Sequence, residues 1–360
     1  MASDAPARVT FVALRHRHHA ARSGYGLLPE YIEGTVIDAR GTRGMLHRAA
    51  RKMLRPVAQR SGNRWFHAAQ AWAEVRAARR WLRVSGEVFH VLYGENSYRY
   101  LGHVKRVHTR NRLLASYHTP ETRFREVVSD PRHLQRLDGV IVFTQSEADF
   151  FAGHLPRDRI FVVPHGVDVE HFRPAPRNRS ADAPLRCLFV GQHLRDFEVL
   201  VGAMRLARDA LGAGVTFDLV LPRHAWSRLD PVGEGVRLQS GVSDEALLRL
   251  YQRSDLFLFP LLDATGNCAL KEAMACGLPV VVTDLPATRE YVDAAAGVFV
   301  PRSDVEAFAQ AIIGLARDRE RLGRMRLDAR RCAERFSMER VAAQTRAVYE
   351  RVLALPPWRP

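Results

Sequence analysis

The sequence predicts an α/β protein of two domains, each built on a parallel sheet that helices cover on both faces. Apolar runs of strand length, such as residues 8–14 and 256–260, recur along the chain and alternate with helical stretches. The length of 360 residues suits two ordinary cores. No run approaches eighteen consecutive apolar residues, so we predict no transmembrane helix.

The most informative stretch is a strand–loop–helix–strand unit at residues 256–282. A polar loop with Gly266 follows the first apolar run, and a run of small residues then extends to Cys276. Gly277 stands where a helix would end, and residues 280–282 begin the next buried strand. A loop entering a helix offers unpaired backbone N–H groups and a positive dipole end, which suit a phosphate. On pattern alone, a purely structural βαβ unit explains the same residues.

The run KEAMACGLPVV at residues 271–281 closely resembles the donor-site signature of glycosyltransferase family four, the "glycosyl transferases group 1" type. The signature continues with Thr283 and Glu290. The resemblance implies the GT-B fold, in which two Rossmann-like domains face each other across a cleft and a C-terminal helix crosses back to the first domain. It implies an acceptor-side domain at residues 1–175, a donor-binding domain at 176–335 and the returning helix at 336–360.

Strand ends of the first domain carry its candidate site residues. Further strands are predicted at residues 88–93, 113–117, 139–144 and 159–164, with basic helices between about 40 and 84. Polar groups that follow such strands are candidates for a site. We place Glu95, Tyr117 and His118 on the acceptor side; from the residues alone, His118 could equally cap a turn. The resemblance implies that His118 lies near the sugar and that Gly24 and Gly26 face the donor diphosphate.

In the second domain, strands are predicted at residues 186–191, 216–222 and 236–238, and amphipathic helices at 304–327 and 328–355. Residues 165–174 resemble the inter-domain segment of the family. The resemblance implies that Glu272 accepts hydrogen bonds from the donor ribose. It also implies that Arg195 and Lys271 stabilise the diphosphate, so that His118, Glu272 and Arg195 form the catalytic set. The other implied donor-binding residues are Val242, Ser243, Thr265, Gly266, Asn267, Cys268 and Ala269.

Two positions depart from the family pattern. The first glutamate of the signature falls at Ala264, which puts the usual contact with the donor hexose in doubt. Gln192 lies near the place of a family arginine, and residues 195–197 replace a lysine–glycine–aromatic run. The start of the predicted helix is unaffected, because its phosphate contact is made by the backbone.

The implied reaction is transfer of a hexose from a nucleotide diphosphate sugar to a hydroxyl of a saccharide, glycolipid or other small acceptor, with retained configuration. No cofactor and no metal are expected: the chain has no Asp-x-Asp signature, and no carboxylate follows the histidines of residues 15–19 at ligand spacing. Two rivals stay open. One is a catalytically silent subunit that binds a nucleotide sugar or polysaccharide, and the other is a sugar-nucleotide epimerase, for which we locate no carboxylates.

The net charge of +15 is concentrated in residues 40–83, where twelve Lys or Arg face one acid, Glu74. Tryptophans and a phenylalanine are interleaved with these cations, so the segment suits an anionic membrane surface. A solvated helix face beside an acceptor cleft is an equal alternative, and nucleic acid is not expected as a partner. The four cysteines form no CxxC pair, and the N-terminus has no apolar signal region. We therefore expect a cytoplasmic protein, with the inner face of the membrane as a candidate location.

Overall fold

The computed structural model describes residues 7–14, 22–38, 45–107, 110–176, 180, 183–229 and 233–358. The chain divides into two compact units. Of the described residues, unit 1 contains 7–14, 25–38, 45–107, 110–165 and 339–358. Unit 2 contains the described residues within 22–24 and 166–338. Among the described residues, no helix combines the length and the apolar character that crossing a bilayer requires.

Unit 1 is built on a six-stranded parallel sheet with the strand order β2-β1-β3-β4-β5-β6. The central strands are apolar on both faces because helices cover both faces of the sheet. Its strands are β1 (Val9–Ala13), β2 (Thr35–Asp38), β3 (Val88–Val91), β4 (Arg112–Ser116), β5 (Gly139–Val142) and β6 (Ile160–Val162). Its first six helices are α1 (Leu28–Tyr31), α2 (Met45–Gln59), α3 (Ala68–Trp81), α4 (Gly94–Ser97), α5 (Phe124–Val127) and α6 (Gln145–Phe151).

Unit 2 holds a second six-stranded parallel sheet, with the order β12-β11-β10-β7-β8-β9. Its strands are β7 (Leu185–Val190), β8 (Val215–Val220), β9 (Val236–Gln239), β10 (Leu256–Phe259), β11 (Val280–Thr283) and β12 (Gly297–Val300). The remaining helices are α7 (Phe197–Leu211), α8 (Asp244–Arg253), α9 (Cys268–Ala275), α10 (Pro286–Tyr291), α11 (Val305–Arg317), α12 (Arg319–Glu334) and α13 (Met338–Ala354). The predicted α/β class with two parallel sheets is confirmed.

The last helix, α13, packs within unit 1 from residue 339 onward. The Arg112 guanidinium donates to the Leu355 carbonyl at 2.8 Å, and the Tyr349 hydroxyl lies 2.7 Å from Nδ1 of His90. Because Arg112 and His90 stand on the adjacent strands β4 and β3, these bonds fix the end of the chain to the sheet.

The C-terminal region differs from its prediction, because three helices occupy the stretch predicted to hold two. Asp318 ends α11 and caps α12, where its side chain accepts from the Arg321 amide at 2.9 Å. A second break at residues 335–337 precedes α13. The strands β2 and β12 were also not predicted.

The two units divide after His165, whereas we placed the domain boundary near residue 175. Residues 166–174 belong to unit 2, where the Val167 amide donates a hydrogen bond to the Phe336 carbonyl.

Candidate donor and acceptor sites

Glu272 is the best-supported candidate in unit 2. It lies in α9, and its side chain is 4% exposed. One carboxylate oxygen accepts a short hydrogen bond from the Ser23 hydroxyl, and the other accepts from the Tyr251 hydroxyl at 2.9 Å. Burial raises the pKa of Glu272, and the two hydroxyls oppose that rise. The two hydroxyls therefore hold the carboxylate in one orientation.

The segment around Gly24 reaches the start of α9. The Sγ atom of Cys268 makes hydrogen bonds with the Ser23 side chain and the Gly24 backbone. Gly24 has a φ of 89°, which a residue with a Cβ rarely adopts. At Gly26, a Cβ would meet its nearest neighbour, the Leu14 carbonyl oxygen, at 3.9 Å, so close packing does not require glycine there. Within unit 2 the structure thus places Gly24 beside Cys268, and a donor role for Gly26 of unit 1 stays a prediction.

Arg195, expected to hold the donor diphosphate, is turned into unit 2. Its guanidinium donates to the His193 carbonyl at 2.9 Å and to the Val190 carbonyl at 3.2 Å. It also stacks on the Phe259 ring, with Cζ 4.2 Å from the ring centroid, and is 4% exposed. In this arrangement the side chain stabilises the loop between β7 and α7, and a phosphate role for Arg195 stays a prediction.

Lys271, the second expected phosphate cation, is fully buried. Its Nζ atom makes no hydrogen bond and lies 4.2 Å from the centroid of the Tyr291 ring. Burial lowers the pKa of Lys271 to about 8. An aromatic face compensates such a cation only partly, so the ammonium costs stability in the unliganded chain.

Replacing Lys271 with methionine is therefore expected to stabilise the protein. Below about pH 8 the wild-type ammonium is charged in the native and the unfolded chain, and the native chain bears the full cost of burial. Between this folded pKa and the ordinary value of 10.5, only the unfolded chain keeps the proton, so wild-type stability rises with pH. The difference in the free energy of unfolding should be as large as about 3 kcal/mol at pH 7 and shrink to nothing near pH 10.5. Urea unfolding of both proteins across this range measures it, and a less stable variant at pH 7 would contradict it.

The loop before α9 contains the other expected donor-binding residues. Thr265, Gly266, Asn267, Cys268 and Ala269 are all partly exposed, and the Asn267 side chain does not cap the helix. Backbone N–H groups in the first turn of α9 are therefore oriented as an anion site requires. Ala264, at the position of the first family glutamate, is 8% exposed and packs in the apolar core.

Val242 and Ser243, expected near the nucleotide base, precede α8. Ser243 caps this helix, since its Oγ atom accepts from the Ala246 amide at 3.2 Å. Val242 packs against the same apolar core as Ala264. A contact with the base through the Val242 and Ser243 backbone stays a prediction.

In unit 1, His118 follows the end of β4 and is oriented by several neighbours. Its Nε2 atom lies 2.7 Å from the Leu92 carbonyl oxygen, so this nitrogen carries a proton. The ring stacks on Tyr93, with centroids 4.3 Å apart, and contacts Phe143 at 4.6 Å and Tyr25 at 5.1 Å. The imidazole is thus pre-oriented, with its side chain only partly buried.

Glu95 supports the segment that carries His118. One carboxylate oxygen accepts from the His118 amide at 3.1 Å and from the Thr119 hydroxyl at 3.4 Å. The other is buried without a hydrogen-bond partner, and burial raises the pKa of Glu95 to about 7. Because the side chain is 2% exposed, Glu95 is better described as a positioning residue than as an acceptor contact.

Replacing Glu95 with glutamine should change the pH dependence of stability. Its folded pKa of about 7 lies above the ordinary 4.5, so wild-type stability falls as pH rises between these values. Glutamine keeps an oxygen acceptor for the His118 amide but has no charge to bury. Relative to wild type, the variant should gain up to about 3 kcal/mol in the free energy of unfolding between pH 5 and pH 8. Urea titrations at both pH values measure this, with Glu121→Gln as the control; an equal change in both variants would contradict it.

Tyr117, expected on the acceptor side, belongs instead to the core. It is 1% exposed, and its ring packs against Phe151 at 5.0 Å and Phe124 at 5.5 Å. The Tyr117 side chain is thus part of the core of unit 1, and its contact with an acceptor stays a prediction.

Sequence reasoning missed the polar partners of the candidate residues. Ser23 and Tyr251 hold Glu272 although they lie 249 and 21 residues from it. In unit 1, His90 bridges the Tyr349 and Ser116 hydroxyls at 2.7 Å each. No periodic pattern marks such residues. The histidines of residues 15–19 lie outside the described residues, and the described parts contain no group of three His, Cys, Asp or Glu that could hold a metal.

Solved structures define the class of the fold. Sucrose-phosphate synthase from Thermosynechococcus elongatus superposes with a TM-score of 0.69 at 18% identity, covering 97% of this chain and 99% of that one. The Anabaena protein HepE, solved in complex with UDP-glucose, gives a TM-score of 0.68 at 15% identity and covers 97% of this chain and 100% of that one. The chain therefore has the two-domain α/β fold of GT-B glycosyltransferases.

Sequence comparison identifies the type within that class. Residues 184–318 match the family model described as glycosyl transferases group 1. A D-inositol 3-phosphate glycosyltransferase from Streptomyces bingchenggensis is 27% identical over 266 residues, which cover 67% of this chain and 58% of that protein. The chain covers only 58–65% of the length of this protein and of two further relatives with the same name. The resemblance to the glycosyl transferases group 1 type, which the sequence predicted, is confirmed.

Proposed function

We propose that the protein transfers a hexose from a nucleotide diphosphate sugar to a hydroxyl of a saccharide, glycolipid or other small acceptor, retaining the anomeric configuration. The observation that carries this proposal is Glu272, a buried carboxylate of α9 that two hydroxyls orient. Glu272 lies inside the segment that matches glycosyl transferases group 1. Its expected role is to accept hydrogen bonds from the donor ribose.

The start of α9 is the proposed place of the donor diphosphate. A carboxylate alone would repel a diphosphate, but the uncapped first turn of the helix offers N–H groups and a positive dipole end. These groups would stabilise the leaving diphosphate as negative charge develops on it, and this is why we propose a metal-independent transfer. Uridine diphosphate is the first donor nucleotide to test, since HepE, which has the same fold, binds UDP-glucose.

His118 is the proposed sugar-facing residue of unit 1. In same-face attack, the acceptor oxygen bonds to the anomeric carbon as the bond to the diphosphate breaks, and the departing phosphate takes the acceptor proton. This route needs no protein nucleophile. Because the departing phosphate takes the proton, His118 would orient and polarise the sugar instead of acting as a general base. The Leu92 carbonyl, 2.7 Å from Nε2, would fix the ring for this role.

A catalytically silent nucleotide-sugar-binding subunit is the second candidate function. It is favoured by Ala264, which packs in the core where the family has a glutamate, and by the burial of Arg195 and Lys271 on internal partners. The two candidates differ in acceptor-dependent release of nucleoside diphosphate. A silent subunit binds the donor but does not release the diphosphate when acceptor is added.

Calorimetric titration with a panel of nucleoside diphosphates and their sugars, with and without a chelator, tests the donor site. We expect saturable micromolar binding of one nucleotide that the chelator does not change. Loss of binding in the chelator would overturn the metal-independent proposal, and silence across the whole panel would overturn the donor site itself.

A further inference from the structure

Unit 1 contains a surface cavity of about 860 Å³ that none of the candidate donor or acceptor residues lines. Residues of α2 line the cavity on one side. The rest of the lining is the segment at residues 62–68, which we call the floor, and Glu126 and Val127, which we call the rim. This volume is in the range of cavities that bind small molecules.

The cavity is strongly cationic. Arg51, Lys52 and Arg55 line it from α2, and Arg64 lines it from the floor. Within the part of the chain that the structure describes, none of these four cations makes an ion pair. The one acid on the rim, Glu126, is paired with Arg123 at 3.2 Å. Cations that share a concave wall without neutralising partners concentrate a positive potential in the cavity.

Backbone hydrogen bonds and a buried aromatic ring fix the floor of the cavity. The Arg64 amide donates to the Val127 carbonyl at 2.8 Å, and the Ser129 amide donates to the Gly62 carbonyl at 3.1 Å. Phe66 is 2% exposed and packs edge-on against Tyr100, with ring centroids 5.9 Å apart. Two backbone hydrogen bonds and the buried Phe66 ring therefore hold the backbone that carries Arg64 in place.

Asn63 adds a second polar feature to the floor. The residue is 5% exposed, and its Nδ2 atom donates to the Tyr98 carbonyl at 3.4 Å. Its Oδ1 atom is buried without a hydrogen-bond partner. A buried amide oxygen without a donor is costly. Since Asn63 belongs to the cavity lining, we expect a ligand hydroxyl to donate to this oxygen.

We infer that this cavity binds a small ligand that carries a phosphate group next to a hydroxyl. Guanidinium groups pair with phosphate oxygens bidentately, and the cavity receives Arg51 and Arg55 from α2 and Arg64 from the floor. A free sugar phosphate and the headgroup of an anionic lipid share this chemistry. The second source is consistent with α2, which also exposes Met53 and Val57, 79% and 41% accessible. The site does not depend on glycosyl transfer.

Hydrogen exchange of the full-length protein with sn-glycerol 3-phosphate tests the site. We expect saturable slowing of amide exchange in residues 51–68. The double variant Arg51→Gln/Arg55→Gln should weaken this binding at least tenfold. The charge-matched double variant Arg60→Gln/Arg83→Gln, whose residues do not line the cavity, should stay within twofold of wild type. Absence of protection in wild type, or equal weakening in both variants, would overturn the inference.

Sedimentation with vesicles of phosphatidylcholine containing phosphatidylglycerol separates the two sources. Pelleting that Arg51→Gln/Arg55→Gln reduces, and that the control variant keeps, assigns the site to a lipid headgroup. Protection by glycerol 3-phosphate without pelleting assigns it to a soluble phosphate ester. Titration of the same variants with uridine diphosphate tests the donor site at Glu272 in unit 2. A failure of the donor proposal can therefore be distinguished from a failure of the cavity proposal.

Discussion

Replacing Glu272 with alanine is expected to abolish measurable binding of the donor nucleotide, with an increase of at least about 100-fold in Kd. The proposed ribose contact would be lost, and the Ser23 and Tyr251 hydroxyls would lose the acceptor that they now share. The truncated side chain would also leave a void within α9 beside these two hydroxyls. Isothermal titration with the nucleotide that the wild-type protein binds measures the effect.

Two further variants separate loss of the carboxylate from general damage to unit 2. Glu272→Gln keeps the volume and one oxygen acceptor, so an intermediate affinity is expected. Glu306→Ala removes an exposed glutamate in the first turn of α11 and should leave the affinity unchanged. Wild-type affinity in Glu272→Ala, with an unchanged thermal midpoint, would remove Glu272 from the donor site.

Replacing His118 with alanine is expected to reduce the transfer rate by about 100-fold or more while the donor Kd stays within about threefold of wild type. The ring is held by the Leu92 carbonyl and by stacking on Tyr93, and these contacts serve its orientation. Glu272 and the start of α9 belong to unit 2, so their contacts with the nucleotide should survive the change. Acceptor-dependent release of nucleoside diphosphate measures transfer, and calorimetry measures donor binding.

His154→Ala is the matched control for His118. His154 is a partly exposed histidine of unit 1 that packs on Phe150, and its loss should leave both transfer and binding unchanged. An unchanged transfer rate in His118→Ala would exclude His118 from the reaction. An equal fall in both histidine variants would point to a weakened unit 1.

The Glu272 and His118 variants together decide between the two candidate functions. A glycosyltransferase loses donor binding in the first variant and transfer alone in the second. A silent binding subunit loses donor binding in Glu272→Ala, but it shows no transfer even as wild type. The result therefore also decides whether Ala264, in place of the family glutamate, is compatible with activity.

The sequence by itself determined the two parallel sheets and the place of the donor helix. Residues 256–260 and 280–282 could be predicted as buried strands because a strand covered on both faces must be apolar throughout. Gly277 marks the end of α9 correctly, since its φ of 73° is costly for any other residue. The short strands β2 and β12 escaped prediction, because a few residues at a sheet edge carry too weak a pattern.

Only the tertiary structure decided what each candidate side chain touches. Arg195 and Lys271 are the cations that a phosphate site would use. In the structure, however, Arg195 stacks on the Phe259 ring and the Lys271 ammonium lies over the Tyr291 ring. Glu272 meets Ser23 across 249 residues of chain, and the basic helix α2 lines one side of a cavity. Periodicity records which face of an element is buried. The partner of a buried polar group depends on which distant segment packs against it, and the local sequence does not encode that choice.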